Sequence, residues 1–215
     1  MVTNNIDMMD INHCIITHAH GDHFFPDELA GASVACMHPR KDWHFELYGS
    51  EDISVVEPYT KRGGGRFSYN KVLPFEPFTV GALTVTALKA VHGTDNPYIY
   101  LITDGEKTLF YALDSDYYPE ETWEYIAKTK PCIDMVVFDC AEGNTPVMDY
   151  VGHGCMNTND DCRNRLKELG CVHKDTLYVL DHFSHNGLDN VYDIIRPIAE
   201  KRNFIVSYDG LEIEL

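Results

Sequence analysis

Residues 17–23 are Thr17-His18-Ala19-His20-Gly21-Asp22-His23, a stretch that holds three imidazoles and one carboxylate within six positions. Potential metal ligands at this density are costly to a fold unless they bind an ion, and imidazole with carboxylate suits first-row divalent metals. The apolar run Cys14-Ile15-Ile16 precedes the stretch, and Phe24-Phe25-Pro26-Asp27-Glu28-Leu29 follows it. This order predicts a metal-binding loop that leaves a buried strand and enters a helix.

Further ligand-type side chains each follow a strand-like apolar run. They are His92 after residues 83–88, Asp114 after residues 109–113, and His182 after residues 176–181. Because a sheet brings the ends of its strands to a shared rim, we expect these side chains to lie close together.

In this ordered set of motifs, nearly the whole chain resembles the metallo-β-lactamase superfamily. The resemblance implies an α/β fold, a four-layer αββα sandwich, with residues 1–215 as a single metallo-β-lactamase-like domain. Superfamily members carry more residues ahead of the first motif, so we expect the N-terminal strands to be missing or reduced. A sheet with an exposed edge would then favour a homo-oligomer.

The resemblance also implies a dinuclear centre of two divalent ions, Zn²⁺ or Mn²⁺. One ion would be held by His18, His20 and His92, the second by Asp22, His23 and His182, and Asp114 would bridge the two. The family pattern favours His182 over the nearby His185, which would then face substrate or a ligand. Asp116 could substitute as a ligand, but it is expected to orient a ligand or to be solvated.

The candidate catalytic residues are Asp22 and His153. In the phosphodiesterase-like branch of the superfamily, a histidine before the helix equivalent to 158–170 reaches the site, and His153 occupies that position as candidate general acid. The alternative is a surface histidine that flanks a helix. Asp209, in an Asp-Gly pair, either hydrogen-bonds a ligand imidazole from outside the metal shell or forms a simple turn.

Composition limits the partners. The 17 basic and 34 acidic residues give a net charge of −17, which provides no basic surface for nucleic acid, although metal ions would still attract a small anionic substrate. Seven cysteines without a Cys-x-x-Cys pair favour a reducing cytoplasm. Since no apolar run reaches 18 residues and nothing in the sequence resembles a signal peptide, we expect no membrane association.

The coarse pattern alternates strands and helices. It predicts strands at 11–16, 33–37, 71–80 with a break at residues 74–77, 83–88, 98–103, 107–113, 132–138, 176–181, 203–207 and 211–215, and helices near 25–31, 39–48, 119–129, 158–170 and 188–201.

The leading hypothesis is a metallo-hydrolase that acts as a phosphodiesterase on a small or cyclic phosphodiester. It resembles the branch of phosphonate-pathway cyclic phosphodiesterases and tRNA 3′-processing endonucleases. The alternatives are an RNA-processing nuclease and a metal-binding remnant without catalysis.

Overall fold

The structure, a computed structural model, describes residues 7–27, 29, 43–62, 65–146 and 152–215. The chain divides into two compact units. The first comprises Met1–Leu73 with Thr94–Asn96, and the second comprises Pro74–Gly93 with Pro97–Leu215. The single domain inferred from the sequence stays a prediction.

The first unit contains a parallel sheet in the strand order β1-β2-β3. Its elements are β1 (His13–Ile15), β2 (Phe45–Gly49), β3 (Phe67–Lys71), two 3₁₀ helices (Met8–Asp10 and Glu51–Val56) and α1 (Glu57–Arg62). The central strand β2 supplies buried Phe45 and Leu47 to a core shared with Ile53 and Phe67. Because β1 ends just before residue 17, this sheet positions the histidine-rich loop, and residues 26, 27 and 29 beyond it are helical.

The second unit contains a mixed sheet in the order β10-β9-β8-β7-β6-β5-β4. Its strands are β4 (Pro77–Val80), β5 (Leu83–Lys89), β6 (Tyr98–Thr103), β7 (Thr108–Ala112), β8 (Ile133–Asp139), β9 (Val172–Asp181) and β10 (Ile205–Val206). Neighbours from β4 to β7 pair antiparallel, and those from β7 to β10 pair parallel. Helices connect the parallel strands: α2 (Glu120–Thr129), α3 (Met156–Glu168) and α4 (Tyr192–Lys201).

Alternate residues of the parallel strands face opposite sides of this sheet, as the two-residue period of a strand requires. One side packs against the helices in a core that includes Phe110, Phe138, Leu180, Trp123 and Leu166. The other side presents a second apolar cluster, formed by Leu113, Val137, Val179, Leu109, Tyr111, Met135, Ile205 and Ile213. The fold is therefore the mixed α/β fold expected for a metallo-β-lactamase.

Three element predictions need correction or fall outside the described residues. The helix expected near 39–48 is wrong for residues 45–48, which form β2, because pairing with β1 and β3 outweighs local helix preference; residues 39–42 lie outside the described residues. The strand expected at 211–215 is absent, since these described residues pair with no strand. The strand expected at 33–37 also lies outside the described residues. None of the helices in the described part of the chain is both long and apolar enough to span a membrane.

Candidate metal centre

In the first unit, the loop after β1 brings its imidazoles together. Buried His18 directs Nε2 to within 3.0 Å of Nδ1 of His20, and its own Nδ1 lies 2.9 Å from Oγ1 of Thr17. The rings of His18 and His23 are 4.4 Å apart between centroids. Two nitrogen ligands of one tetrahedral zinc ion lie about 3.3 Å apart, so the His18–His20 spacing suits a shared ion.

Asp22 projects outward from the same loop. Its side chain is 78% exposed, and Oδ2 lies 3.6 Å from Nε2 of His23. A backbone hydrogen bond, with help from the nearby imidazoles, lowers the pKa of Asp22 below its ordinary value. The backbone N–H groups of His23 and Phe24 both donate to the His20 carbonyl, which closes the turn that gathers these side chains.

In the second unit, the three ligand candidates from separate strand ends lie close together. The Oδ1 atom of buried Asp114 lies 3.3 Å from Nε2 of His182 and 3.8 Å from Nε2 of His92. Asp114 and His182 both have left-handed backbone conformations, with φ of 53° and 61°. Such a conformation costs a non-glycine residue about 1–3 kcal/mol and is concentrated at functional sites. His185, the alternative to His182, is exposed.

Hydrogen bonding orients His92 and places His153. Nδ1 of His92 lies 2.7 Å from the carbonyl oxygen of Gly152, which leaves Nε2 as the atom that faces Asp114. The His153 ring packs edge-on against His92 at 4.8 Å and stacks on His182 at 5.2 Å between centroids. His153 therefore lies within this cluster, and its side chain is 20% exposed.

Asp139, at the end of β8, is a site residue that sequence reasoning missed. Its Oδ2 atom lies 2.9 Å from Nδ1 of His153 and 3.3 Å from Nδ1 of His182, and it accepts the backbone N–H of Asp114 at 3.0 Å. Ligand atoms of these four residues all lie within 4.8 Å of one another. The sequence did contain a signal for Asp139, because this residue ends an apolar strand, just as Asp114 and His182 each follow one.

The second oxygen of Asp139 anchors the surrounding backbone. Oδ1 accepts the backbone N–H groups of Ala141 at 2.8 Å and Gly154 at 3.0 Å. A Cβ atom on Gly154 would lie only 2.4 Å from the Asp139 carbonyl oxygen, so only glycine fits beside this strand end. These contacts fix the chain segment that carries His153 against the end of β8.

The buried Asp139 carboxylate also favours the protonated forms of His153 and His182. Its hydrogen bond raises the pKa of His182 to about 9 and raises the pKa of His153 above the ordinary value. Burial alone would raise the pKa of Asp139, but the hydrogen bonds from both imidazoles outweigh it and lower that pKa. Imidazole nitrogens beside buried carboxylates form a donor set that fits Zn²⁺ or Mn²⁺.

Two other candidates have local roles. Oδ1 of half-buried Asp116 accepts the backbone N–H of Tyr117 at 2.6 Å, so its carboxylate supports its own turn. Asp209 lies in a turn in which the N–H of Leu211 donates to the Tyr208 carbonyl at 2.9 Å. Of the two roles open for Asp209, the turn is the one that these contacts support.

Comparison with known proteins gives a family and several similar folds. The model of the beta-lactamase superfamily domain matches residues 2–183. A search of curated proteins found no match. The metallo-beta-lactamase fold protein YhfI from Bacillus subtilis is 21% identical, with a TM-score of 0.69 over 98% of this chain and 80% of that chain.

Two further solved structures share the fold. A diphosphatase from the PhnP family is 17% identical, with a TM-score of 0.65 over 94% of this chain and 69% of that one. Zn²⁺-bound PqqB from Methylobacterium extorquens is 18% identical, with a TM-score of 0.69 over 95% of this chain and 73% of that one. At these identities the likeness establishes the fold.

Proposed function

Because this chain belongs to the beta-lactamase superfamily and has the metallo-β-lactamase fold, we propose that it is a metal-dependent hydrolase of small or cyclic phosphodiesters. The observation that carries this proposal is the contact of His153 with Asp139, at 2.9 Å, beside the ligand candidates Asp114 and His182. A hydrolase that cleaves an ester of a basic alcohol needs such a proton donor at the leaving oxygen.

The superfamily pattern also indicates which side chains would bind the metal ions. We assign His18, His20, Asp22 and His23 from the loop, and His92, Asp114 and His182 from the strand ends, to one dinuclear centre, as the superfamily pattern implies. When bound, two divalent ions supply a water of lowered pKa as the nucleophile and stabilise the negative charge that develops on the phosphoryl group. The Zn²⁺-bound state of PqqB supports zinc as one candidate.

The side chains of the second unit have separate proposed roles in orienting the ligands and transferring a proton. His92 and His182 turn Nε2 toward Asp114, while a backbone carbonyl and Asp139 hold their Nδ1 atoms. With Nδ1 of His153 held by Asp139, we assign Nε2 to deliver the proton to the leaving oxygen. Asp22 keeps its double assignment as a metal ligand and a catalytic carboxylate.

The phosphodiester is favoured over other esters for two reasons. His153 precedes α3, the position from which the phosphodiesterase-like branch places its histidine in the site. A solved protein that shares the fold is a diphosphatase from the PhnP family. The native substrate is therefore proposed to be an anion that the metal ions attract in spite of the acidic surface.

The test is a substrate panel with metal-loaded protein. Protein loaded with Mn²⁺ or Zn²⁺ should hydrolyse bis-p-nitrophenyl phosphate and 2′,3′-cyclic nucleotides, and a chelator should abolish the activity. A β-lactam, a thioester and a phosphomonoester serve as comparison substrates. Metal-loaded protein that turns over none of the diesters, or that prefers the β-lactam or the thioester, would refute the proposal.

A further inference from the structure

Two chain segments pack together beside His182: one follows β8 and the other follows β9. The backbone N–H of Ser184 donates to the Ala141 carbonyl at 3.3 Å, and the N–H of Asn144 donates to the Leu188 carbonyl at 2.9 Å. Because β8 and β9 are neighbouring parallel strands, the segments that leave them start side by side. The loop that begins at His182 is therefore held against the segment that follows the end of β8.

The side chain of Asn190 joins these two segments a second time. Its Nδ2 atom lies 2.7 Å from the carbonyl oxygen of Ala141 and 2.7 Å from that of Ser184, and it donates to both. A side-chain amide carries two N–H donors, so both are used. The two acceptors also fix which way the amide points, since a reversed amide would place its oxygen against two carbonyl oxygens.

Two glycines leave space for this amide. A Cβ atom on Gly187 would lie 2.0 Å from Nδ2 of Asn190, and a Cβ atom on Gly143 would lie 2.1 Å from its Oδ1. Both distances are far below van der Waals contact, so a larger residue at either position would displace the amide. Oδ1 is buried and accepts no hydrogen bond from the described residues, so the bonds that orient the amide are the two that Nδ2 donates.

His182 is the residue whose backbone this arrangement constrains. It has a φ of 61°, in the left-handed region that a non-glycine residue occupies only when its surroundings enforce it. Asp139 orients the imidazole ring of His182 at 3.3 Å, whereas Asn190 fixes the carbonyl of Ser184, which follows closely along the chain. The Ala141 N–H in turn donates to Oδ1 of Asp139 at 2.8 Å. Asn190 is thus linked to the same carboxylate that orients His182.

We propose that Asn190 is a positioning residue that holds His182 in the conformation in which Nε2 faces Asp114, before any metal ion binds. The inference rests on the proposed function, because it takes His182 as a ligand of one of the two ions. It adds to that function a residue outside the assigned ligand set that controls the affinity for one ion. A ligand that is already held in its bound conformation loses less conformational freedom on binding, so the ion binds more tightly.

The first test measures the affinity for each ion. In Asn190→Asp, a carboxylate of nearly the same shape faces the carbonyl oxygens of Ala141 and Ser184, so repulsion replaces both hydrogen bonds. Zn²⁺ titration of metal-free protein against a chelating dye should show the Kd of one ion raised about 10- to 100-fold, the range for groups that support a ligand from outside the metal shell. The Kd of the other ion should keep its wild-type value.

Asn186→Asp is the matched control, since it makes the same change at an exposed position of the same segment. Both of its Kd values should equal those of the wild type. Asn190→Ala removes the two donors without adding a charge, provides a second variant if Asn190→Asp fails to fold, and should weaken binding of the same ion. Unchanged Kd values in a folded Asn190 variant, equal weakening of both ions, or the same loss in Asn186→Asp would overturn the inference.

A measurement without metal separates this inference from the proposed function. In metal-free protein, the backbone amides of residues 183–188 should exchange hydrogen about tenfold faster in Asn190→Asp than in wild type or Asn186→Asp, because the loop opens more often. Mass spectrometry of the exchanged peptides would measure this, and exchange at the wild-type rate would overturn the inference. Wild-type protein that binds two ions and shows the expected effects of Asn190, but hydrolyses no diester, would overturn only the proposed function.

Discussion

Asp139 and His182 face each other across 3.3 Å, from Oδ2 to Nδ1, on the side of the imidazole opposite the Nε2 atom that faces Asp114. A carboxylate behind a ligand imidazole fixes its tautomer and its orientation and increases its basicity. The same oxygen lies 2.9 Å from Nδ1 of His153. One buried carboxylate therefore orients both a candidate ligand and the candidate proton donor.

Asp139→Asn should weaken metal binding or activity by about 10- to 100-fold, the usual cost of losing an outer-shell carboxylate. The neutral amide is isosteric but no longer stabilises a positive charge on the two imidazoles. Metal content and kcat/KM for a diester would measure the effect. Asp134→Asn, on the same strand, is the matched control, because Asp134 pairs with Lys107 and His173 away from the cluster. Equal loss in both variants would contradict this role.

The loop is the part of the candidate site that the sequence alone could indicate, because all its candidate ligands are local. His18, His20 and His23 lie within one turn after a strand, so their spacing alone indicates the site. His92, Asp114 and His182 could be named only from their positions at strand ends together with the family resemblance. Asp139 has the same position, but its function depends on β8 lying between β7 and β9, which is a long-range pairing.

The two incorrect secondary-structure predictions have the same physical cause. Residues 45–48 form a strand because β2 lies between two parallel partners, and no local pattern reveals those partners. Residues 211–215 alternate like a strand, but Leu211 and Ile213 line a cavity instead of joining the sheet. Tertiary contacts override local preference in both cases.

Loss of single ligands should reduce the metal content stepwise. His18→Ala and His182→Ala should each release about one divalent ion per chain, since each removes a ligand that we assign to a different ion. Elemental analysis after gel filtration would measure this. His185→Ala is the control, because His185 is exposed beyond the cluster. If His185→Ala released an ion and His182→Ala did not, the ligand assignment would be wrong.

His153→Gln should affect substrates according to their leaving groups. An alkoxide leaving group needs a proton, so its release should slow by about 10²- to 10⁴-fold, whereas p-nitrophenolate leaves unprotonated and should slow far less. Initial rates with matched alkyl and p-nitrophenyl diesters would show the difference. His173→Gln supplies the control, because His173 also pairs with an aspartate of β8, at 3.4 Å, but at the other end of the strand. A uniform slowing of both substrate types would argue for a structural role of His153.

The metal-free protein should lose stability as the pH rises from about 6.5 to 9. Asp139 raises the folded-state pKa of His182 from 6.5 to about 9, so protonated His182 is favoured in the folded state. This contribution is fully present below the unfolded pKa and is lost as the pH rises through the folded pKa. Asp139 itself has a lowered pKa, so its contribution is present above about 3.8 and is lost in acid. Thermal unfolding of chelator-treated protein should therefore give a Tm that decreases over this alkaline range, and His182→Gln should decrease less. Parallel Tm curves for His182→Gln and wild type would show that the Asp139–His182 pair does not contribute.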